Sequence, residues 1–152
     1  MSKLRVLFIC VGNAARSQMA ESWLRLWADD RFEALSAGTH PTQLHPLTVK
    51  VMREVGADMS RAKTKSVREV SGPFDFVITT CAEAEADCPT IKGTRHTYHW
   101  NIPDPVGRAS ILPSQPEKLE VFRRARDLIG GRVDEFLTRV PDDDPSRERE
   151  IL

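Results

Sequence analysis

A chain of 152 residues, 40% of them hydrophobic, is long enough to bury one core and too apolar to stay disordered. Its 22 Lys and Arg residues cancel its 22 Asp and Glu residues, which argues against a nucleic-acid binder held by a strong basic field. No apolar run approaches the ~18–20 residues that span a bilayer, so no membrane association is expected.

The N-terminus leads into only a short apolar run, residues 6–9, with no small-residue cleavage site behind it, so no signal peptide is expected. Three cysteines is an odd number, and free thiols in a reducing cytoplasm are the expectation. Residues 3–9 read as a buried parallel strand. Residues 16–28 read as a helix with Met19, Ala20, Trp23, Leu24 and Trp27 on one face. A second strand, 32–37, stops at Gly38. A helix over 46–55 has Pro46 in its first turn, an apolar face of Leu47, Val51 and Val55, and Gly56 as terminator. Residues 75–80 form a third strand and 95–100 a weaker fourth. The last element is a long helix over 116–140, with Leu119, Phe122, Ile129, Val133, Phe136 and Leu137 facing the core and Gly130–Gly131 weakening its middle. Residues 1–140 are read as a single domain. Residues 141–152 (Pro-Asp-Asp-Asp-Pro-Ser-Arg-Glu-Arg-Glu-Ile-Leu) are read as a solvated, flexible tail.

Strands separated by helices imply right-handed crossovers and an α/β fold, an open parallel sheet with helices on both faces. Such sheets bind ligands beyond the carboxyl ends of their strands. Cys10 follows the first strand, Cys81 the third, and Asp104 comes shortly after the fourth, so three reactive groups should gather on one edge. Between the first strand and the first helix runs Cys10-Val11-Gly12-Asn13-Ala14-Ala15-Arg16-Ser17. A turn in that place aims successive backbone N–H groups into one concavity at a positive helix end. Gly12 and Asn13 tolerate the left-handed backbone that such a turn needs. Arg16 can grip two oxygens of a tetrahedral oxyanion, and the same field favours a thiolate at Cys10.

The segment from Cys10 to Glu21 resembles the low-molecular-weight tyrosine phosphatases, and within them the thioredoxin-coupled arsenate reductases, in which Ser-Gln-Met-Ala-Glu (here 17–21) is typical. The resemblance continues through Ser36-Ala37-Gly38, residues 54–60, Thr80-Cys81, Cys88-Pro89, His99-Trp100 and Asp104-Pro105, and covers about residues 4–139. It implies a four-stranded parallel sheet flanked by helices. It also implies an oxyanion loop at residues 11–17 and a catalytic set of Cys10, Arg16, Cys81, Cys88 and Asp104. No bound cofactor or metal is implied, and reducing equivalents would come from thioredoxin or a similar dithiol protein. Arsenate is the implied substrate, and a monomer is expected.

A phosphatase of this fold needs Cys10, Arg16 and a general acid, and has no use for Cys81 and Cys88. A reductase must deliver two electrons. The resemblance implies a relay in which Cys10 attacks arsenate, Asp104 protonates the departing oxygen, a Cys10–Cys81 disulfide forms as arsenite leaves, and Cys88 moves the disulfide to Cys81–Cys88. Several readings compete. The cysteines could be inert buried thiols. Cys81 and Cys88 with His96 and His99 could form a zinc site, although both spacings lie outside the usual ranges. The protein could also be a phosphatase acting on tyrosine phosphate or small esters, a non-enzymatic thiol sensor, or a reductase fed by a low-molecular-weight thiol.

Residues 82–87 are rich in helix formers; if they are helical, Cys81 and Cys88 lie ~10 Å apart along the axis, too far for a disulfide. His40 and His45 are expected at the surface or as helix caps. Three differences from the family stand out. Ala15 occupies a position where many relatives have a second loop cysteine. The tyrosine that phosphatases place after Asp-Pro is replaced by Val106-Gly107. Some members bind potassium through residues matching Asn13, Glu21, Ser36 and an aspartate; Lys65 falls at the aspartate position and is expected to pair with Glu21.

Overall fold

The computed structural model describes residues 3–87 and 90–140. The chain alternates β1 (Leu4–Cys10), α1 (Arg16–Ala28), β2 (Phe32–Gly38), α2 (Pro46–Glu54), a 3-10 turn (Val67–Glu69), β3 (Phe74–Thr79), α3 (Ala82–Asp87), β4 (Thr94–His99), α4 (Pro105–Ser110) and α5 (Gln115–Arg139). The four strands form one parallel sheet in the order β2-β1-β3-β4. β1 lies at the centre, with Cys10 in register with Gly38 of β2 and Ile9 with Thr79 of β3. This register places the ends of β1, β2 and β3 at one edge. The strand and helix expectations hold to within one residue at each end. The helix α4 and the short 3-10 turn were not foreseen.

Alternation along each strand divides the core into two clusters. Val6, Phe8, Ala34, Phe76 and Ile78 face the first, together with Met19, Ala20 and Leu24 of α1, Val51 and Met52 of α2, Ala109 of α4 and Phe122, Ile129, Val133 and Phe136 of α5. Leu7, Ile9, Ala37 and Val77 face the second, which is closed by Val67, Cys81 and Ala84, with Val70 and Ile91 packed against it. Helices thus lie on both faces, but unequally: α1, α2, α4 and α5 cover one, and α3 and a 3-10 turn cover the other.

Two local expectations are corrected. Trp27 does not join the core: it is 44% exposed and stacks on the buried Trp23, with ring centroids 4.4 Å apart. Gly130 is not a weakness in α5. A Cβ there would sit 3.0 Å from the Trp23 ring, so the glycine lets α1 and α5 approach closely, and Trp23 Nε1–H donates to the Arg126 carbonyl at 2.9 Å. No helix among the described residues is long and apolar enough to cross a membrane.

Candidate active site at the cysteine–arginine loop

Residues 10–15 link the buried end of β1 to the first turn of α1. Asn13 takes the left-handed conformation at φ 54°, as expected for this turn. Gly12 does not. Its glycine is a matter of space, because a Cβ would lie 2.9 Å from Thr42 Oγ1. Thr42 belongs to a strap over residues 39–45 that runs beside the loop. Backbone N–H groups of Thr39, His40, Thr42 and His45 donate to the carbonyls of Cys10, Val11, Gly12 and Ala14 at 2.8–3.1 Å. Thr48 Oγ1 adds a second bond to the Ala14 carbonyl at 2.8 Å. In a trans peptide the C=O and N–H point in opposite directions. Tying the carbonyls to the strap therefore turns the loop's N–H groups the other way, toward the concavity. α1 follows the N-cap residue Ala15 with no side-chain cap bond and no acidic residue in its first turn, so its positive end stays open to an anion.

The sulfur of Cys10, 2% exposed, sits at the base of this loop. Asn13 N–H donates to Sγ at 3.2 Å, and Ser17 Oγ lies 2.8 Å from it. Asn13 Nδ2 donates to Ser17 Oγ at 2.8 Å, which leaves the serine hydroxyl proton to point at the sulfur. The Asn13 amide is itself fixed, since its Oδ1 accepts from Gln18 Nε2 at 3.2 Å and from Lys65 N–H at 3.0 Å. Gly38 completes the base of the loop: a Cβ there would meet the Val11 carbonyl at 2.5 Å, so only glycine lets β2 pass beneath.

Arg16, 7% exposed, donates from Nη1 to the Ile102 carbonyl at 2.9 Å and places Nη2 3.8 Å from Asp104 Oδ1. Asp104 caps α4 by accepting from Val106 N–H at 3.0 Å. Cys81 follows the end of β3, brought beside β1 by the Thr80 N–H bond to the Ile9 carbonyl at 2.7 Å. It is 1% exposed and shares one apolar cluster with Cys10. Burial pushes the Cys81 thiol above its ordinary value; the Ala84 N–H, 3.3 Å from its sulfur, and the Arg16 charge pull it down, and Cys10 pushes it up. The structure therefore brings Cys10, Arg16, Cys81 and Asp104 to one edge. Cys88 lies outside the described residues.

The strap at 39–45 and Gly38 were missed in the sequence as parts of this site. The strap acts through backbone bonds, which leave no residue signature. Only the His45-Pro46 pair marks its end: His45 Nδ1 caps α2 by accepting from Leu47 N–H at 3.1 Å, the capping role expected of it. The expected Lys65–Glu21 pair is replaced. Glu21 accepts from Ser36 Oγ at 2.8 Å and pairs with Arg25 at 3.3 Å, while Lys65 engages Asn13 through its backbone. With the Glu21 carboxylate already bonded to a hydroxyl and a guanidinium, and Asn13 Oδ1 accepting two donors, these residues do not fit a potassium ion.

The sheet thus presents Cys10 at the base of a loop at a helix N-terminus, with Arg16 and Asp104 beside it, an arrangement whose chemistry suits a tetrahedral oxyanion. The chain belongs to the low molecular weight phosphotyrosine protein phosphatase family, whose profile matches residues 5–146. It is 36% identical over 137 residues to the arsenate reductase of Halalkalibacterium halodurans, a match covering 90% of this chain and 96% of the relative. Among solved structures it resembles an arsenate reductase in the phosphate-binding state, with a TM-score of 0.73 and 26% identity over 91% of this chain and 99% of the other. It also resembles a Corynebacterium glutamicum thioredoxin-dependent arsenate reductase, with a TM-score of 0.65 and 29% identity over 90% of this chain and 61% of the other.

Proposed function

We propose that the protein is an arsenate reductase that works by a three-cysteine relay, in one catalytic domain over residues 1–140; the tail expected at 141–152 lies outside the described residues. The observation that carries this reading is the second thiol, Cys81, buried in the same cluster as Cys10 beside the anion loop. A phosphatase would have no use for it there.

The amides of residues 11–17 and the Arg16 guanidinium bind hydrogen arsenate. The Cys10 thiolate attacks arsenic while Asp104 gives a proton to the arsenate hydroxyl, which leaves as water; an S–As bond replaces an As–O bond. The Cys81 thiolate then attacks Cys10 Sγ. The S–As electron pair stays on arsenic, which is reduced from As(V) to As(III) and departs as arsenite, and a Cys10–Cys81 disulfide remains. The Cys88 thiolate attacks Cys81 and releases the Cys10 thiolate, and a dithiol protein such as thioredoxin reduces the Cys81–Cys88 disulfide. That chemistry belongs in a reducing, cytoplasmic compartment. The anion loop accepts phosphate as readily as arsenate, so a weak phosphatase activity accompanies the main one.

Arsenate-dependent NADPH oxidation through thioredoxin and its reductase, with phosphate as competitor, tests the reading. Cys88→Ser should allow one turnover and stop with Cys10 joined to Cys81, visible by mass spectrometry. Continued multiple turnover by that variant would refute the relay. Ester hydrolysis indifferent to Cys81→Ser and Cys88→Ser, with no arsenate turnover, would make the protein a phosphatase.

A further inference from the structure

Gly107 sits in α4 with no backbone reason to be glycine. It lies inside the helix Pro105–Ser110, and the glycines with positive φ are Gly56 and Gly93. Glycine weakens a helix relative to alanine. What a side chain at 107 would meet is the Asp104 carboxylate: a Cβ would lie 3.1 Å from Oδ2 and 3.7 Å from Cγ.

The two oxygens of that carboxylate are not equivalent. Oδ1 accepts the Val106 N–H at 3.0 Å and is the oxygen nearer Arg16, with Nη2 at 3.8 Å. An oxygen that receives an amide hydrogen and faces a guanidinium is held as an acceptor and is the poorer place for a proton. The proton that Asp104 gives to the departing arsenate oxygen therefore belongs on Oδ2, the oxygen above Gly107. His45, at the start of α2, interacts electrostatically with Asp104, and Lys118 of α5 with His45.

We propose that Gly107 is a positioning residue for Asp104: its missing side chain keeps open the space in which Oδ2 carries and delivers the proton, while Val106 N–H anchors Oδ1. The inference rests on the role given to Asp104 above. A methyl group at 107 displaces Oδ2 by a few tenths of an ångström or rotates the carboxylate off its anchor. Either change misaligns the proton with the leaving oxygen.

The test is a double-mutant cycle read by single-turnover arsenite release at sub-saturating arsenate, with phosphate competition and thermal unfolding measured alongside. Gly107→Ala should slow release about tenfold, with phosphate affinity changed less than about twofold. Its Tm should change little, since the helix gain from alanine offsets any weakening of the Asp104 cap. In an Asp104→Asn background, Gly107→Ala should have no further effect on the rate. A wild-type rate for Gly107→Ala would overturn the proposal. So would a loss that persists in the Asp104→Asn background, because that is the mark of a structural defect. If Asp104→Asn itself does not slow release, the role of Asp104 fails first and the proposal falls with it. If Asp104→Asn slows release and Gly107→Ala does not, only the proposal fails.

Discussion

Cys10 and Cys81 are both nearly inaccessible, yet their surroundings differ in kind. Two polar donors reach the sulfur of Cys10, from Asn13 and Ser17, whereas Cys81 is closed in by Leu7, Ile9, Val77 and Ala84 and receives one amide. Desolvation dominates at Cys81 and raises its thiol above the ordinary cysteine range. The native state holds this proton more tightly than the unfolded chain does. The stabilising contribution is therefore complete below the ordinary thiol range and is lost as the pH rises through the native value. The same sign applies to reactivity: peptide-mapped alkylation of Cys81 in the reduced protein should rise with pH to a midpoint above that of a free thiol, and a midpoint at or below it would show that the burial is not felt. At this scale much of the site was legible. Cys10, Arg16, Cys81 and Asp104 could be placed on one edge because each follows a strand, and parallel strands end together. Glu21 was misread because the spacing of Lys65 said nothing about Arg25, one helical turn along on the same face of α1, which reaches the carboxylate first.

The elements were legible where hydrophobic period is long and strong, as in β1, α1 and α5. They were not where an element is short or held by backbone bonds. α4 is six residues with a proline and a glycine, and its signature is the Asp104 cap more than any apolar stripe. In α5 the period located Phe122, Ile129, Val133 and Phe136 but missed Arg126, whose buried guanidinium reaches the Val51 carbonyl and Glu54 of α2. Glu54 gathers Arg123 at 2.7 Å and Arg126 at 2.8 Å, and these, the Arg123 hydrogen bond first, lower its carboxyl from 4.5 to about 2. A depressed carboxyl stabilises the native state above its unfolded value and loses that effect as the pH falls from 4.5 to about 2. Solvent screens a pair this exposed, so Glu54→Gln should cost about 1 kcal/mol at neutral pH. In urea unfolding the difference should close as the pH drops through that window, and a difference independent of pH would assign the effect to packing. The paired glycines of α5 make a second test. Gly130→Ala drives a methyl into the Trp23 ring and should destabilise by about 1–2 kcal/mol. Gly131, where a Cβ meets nothing within 4 Å, should gain about 0.5–1 kcal/mol as alanine. Thermal unfolding should show opposite signs one residue apart.

Across the whole molecule, the unequal covering of the sheet bears on how the relay can run. One face is held by four helices whose side chains interlock. The other depends on Val67 of the 3-10 turn, Cys81 just before α3 and Ala84 within it to cover Leu7, Ile9 and Val77. The element that the proposed chemistry must rearrange is thus also the lighter of the two lids. α3 is helical over Ala82–Asp87. If the helix continued through residue 88, the two Cα atoms would lie about 10 Å apart, and a disulfide requires them within about 7 Å. Forming Cys81–Cys88 would then unwind α3, and six residues of helix have little intrinsic stability to oppose it. The cost is the apolar contact that Cys81 and Ala84 make with the sheet. The heavier face has no part in that contact, so the change should stay local. Amide exchange compared between the reduced protein and the Cys81–Cys88 oxidised form should accelerate by at least about tenfold across 82–87, while the amides of β1 and α5 keep their protection. Equal protection of 82–87 in both forms would mean that the disulfide forms with the helix intact, and would overturn the unwinding.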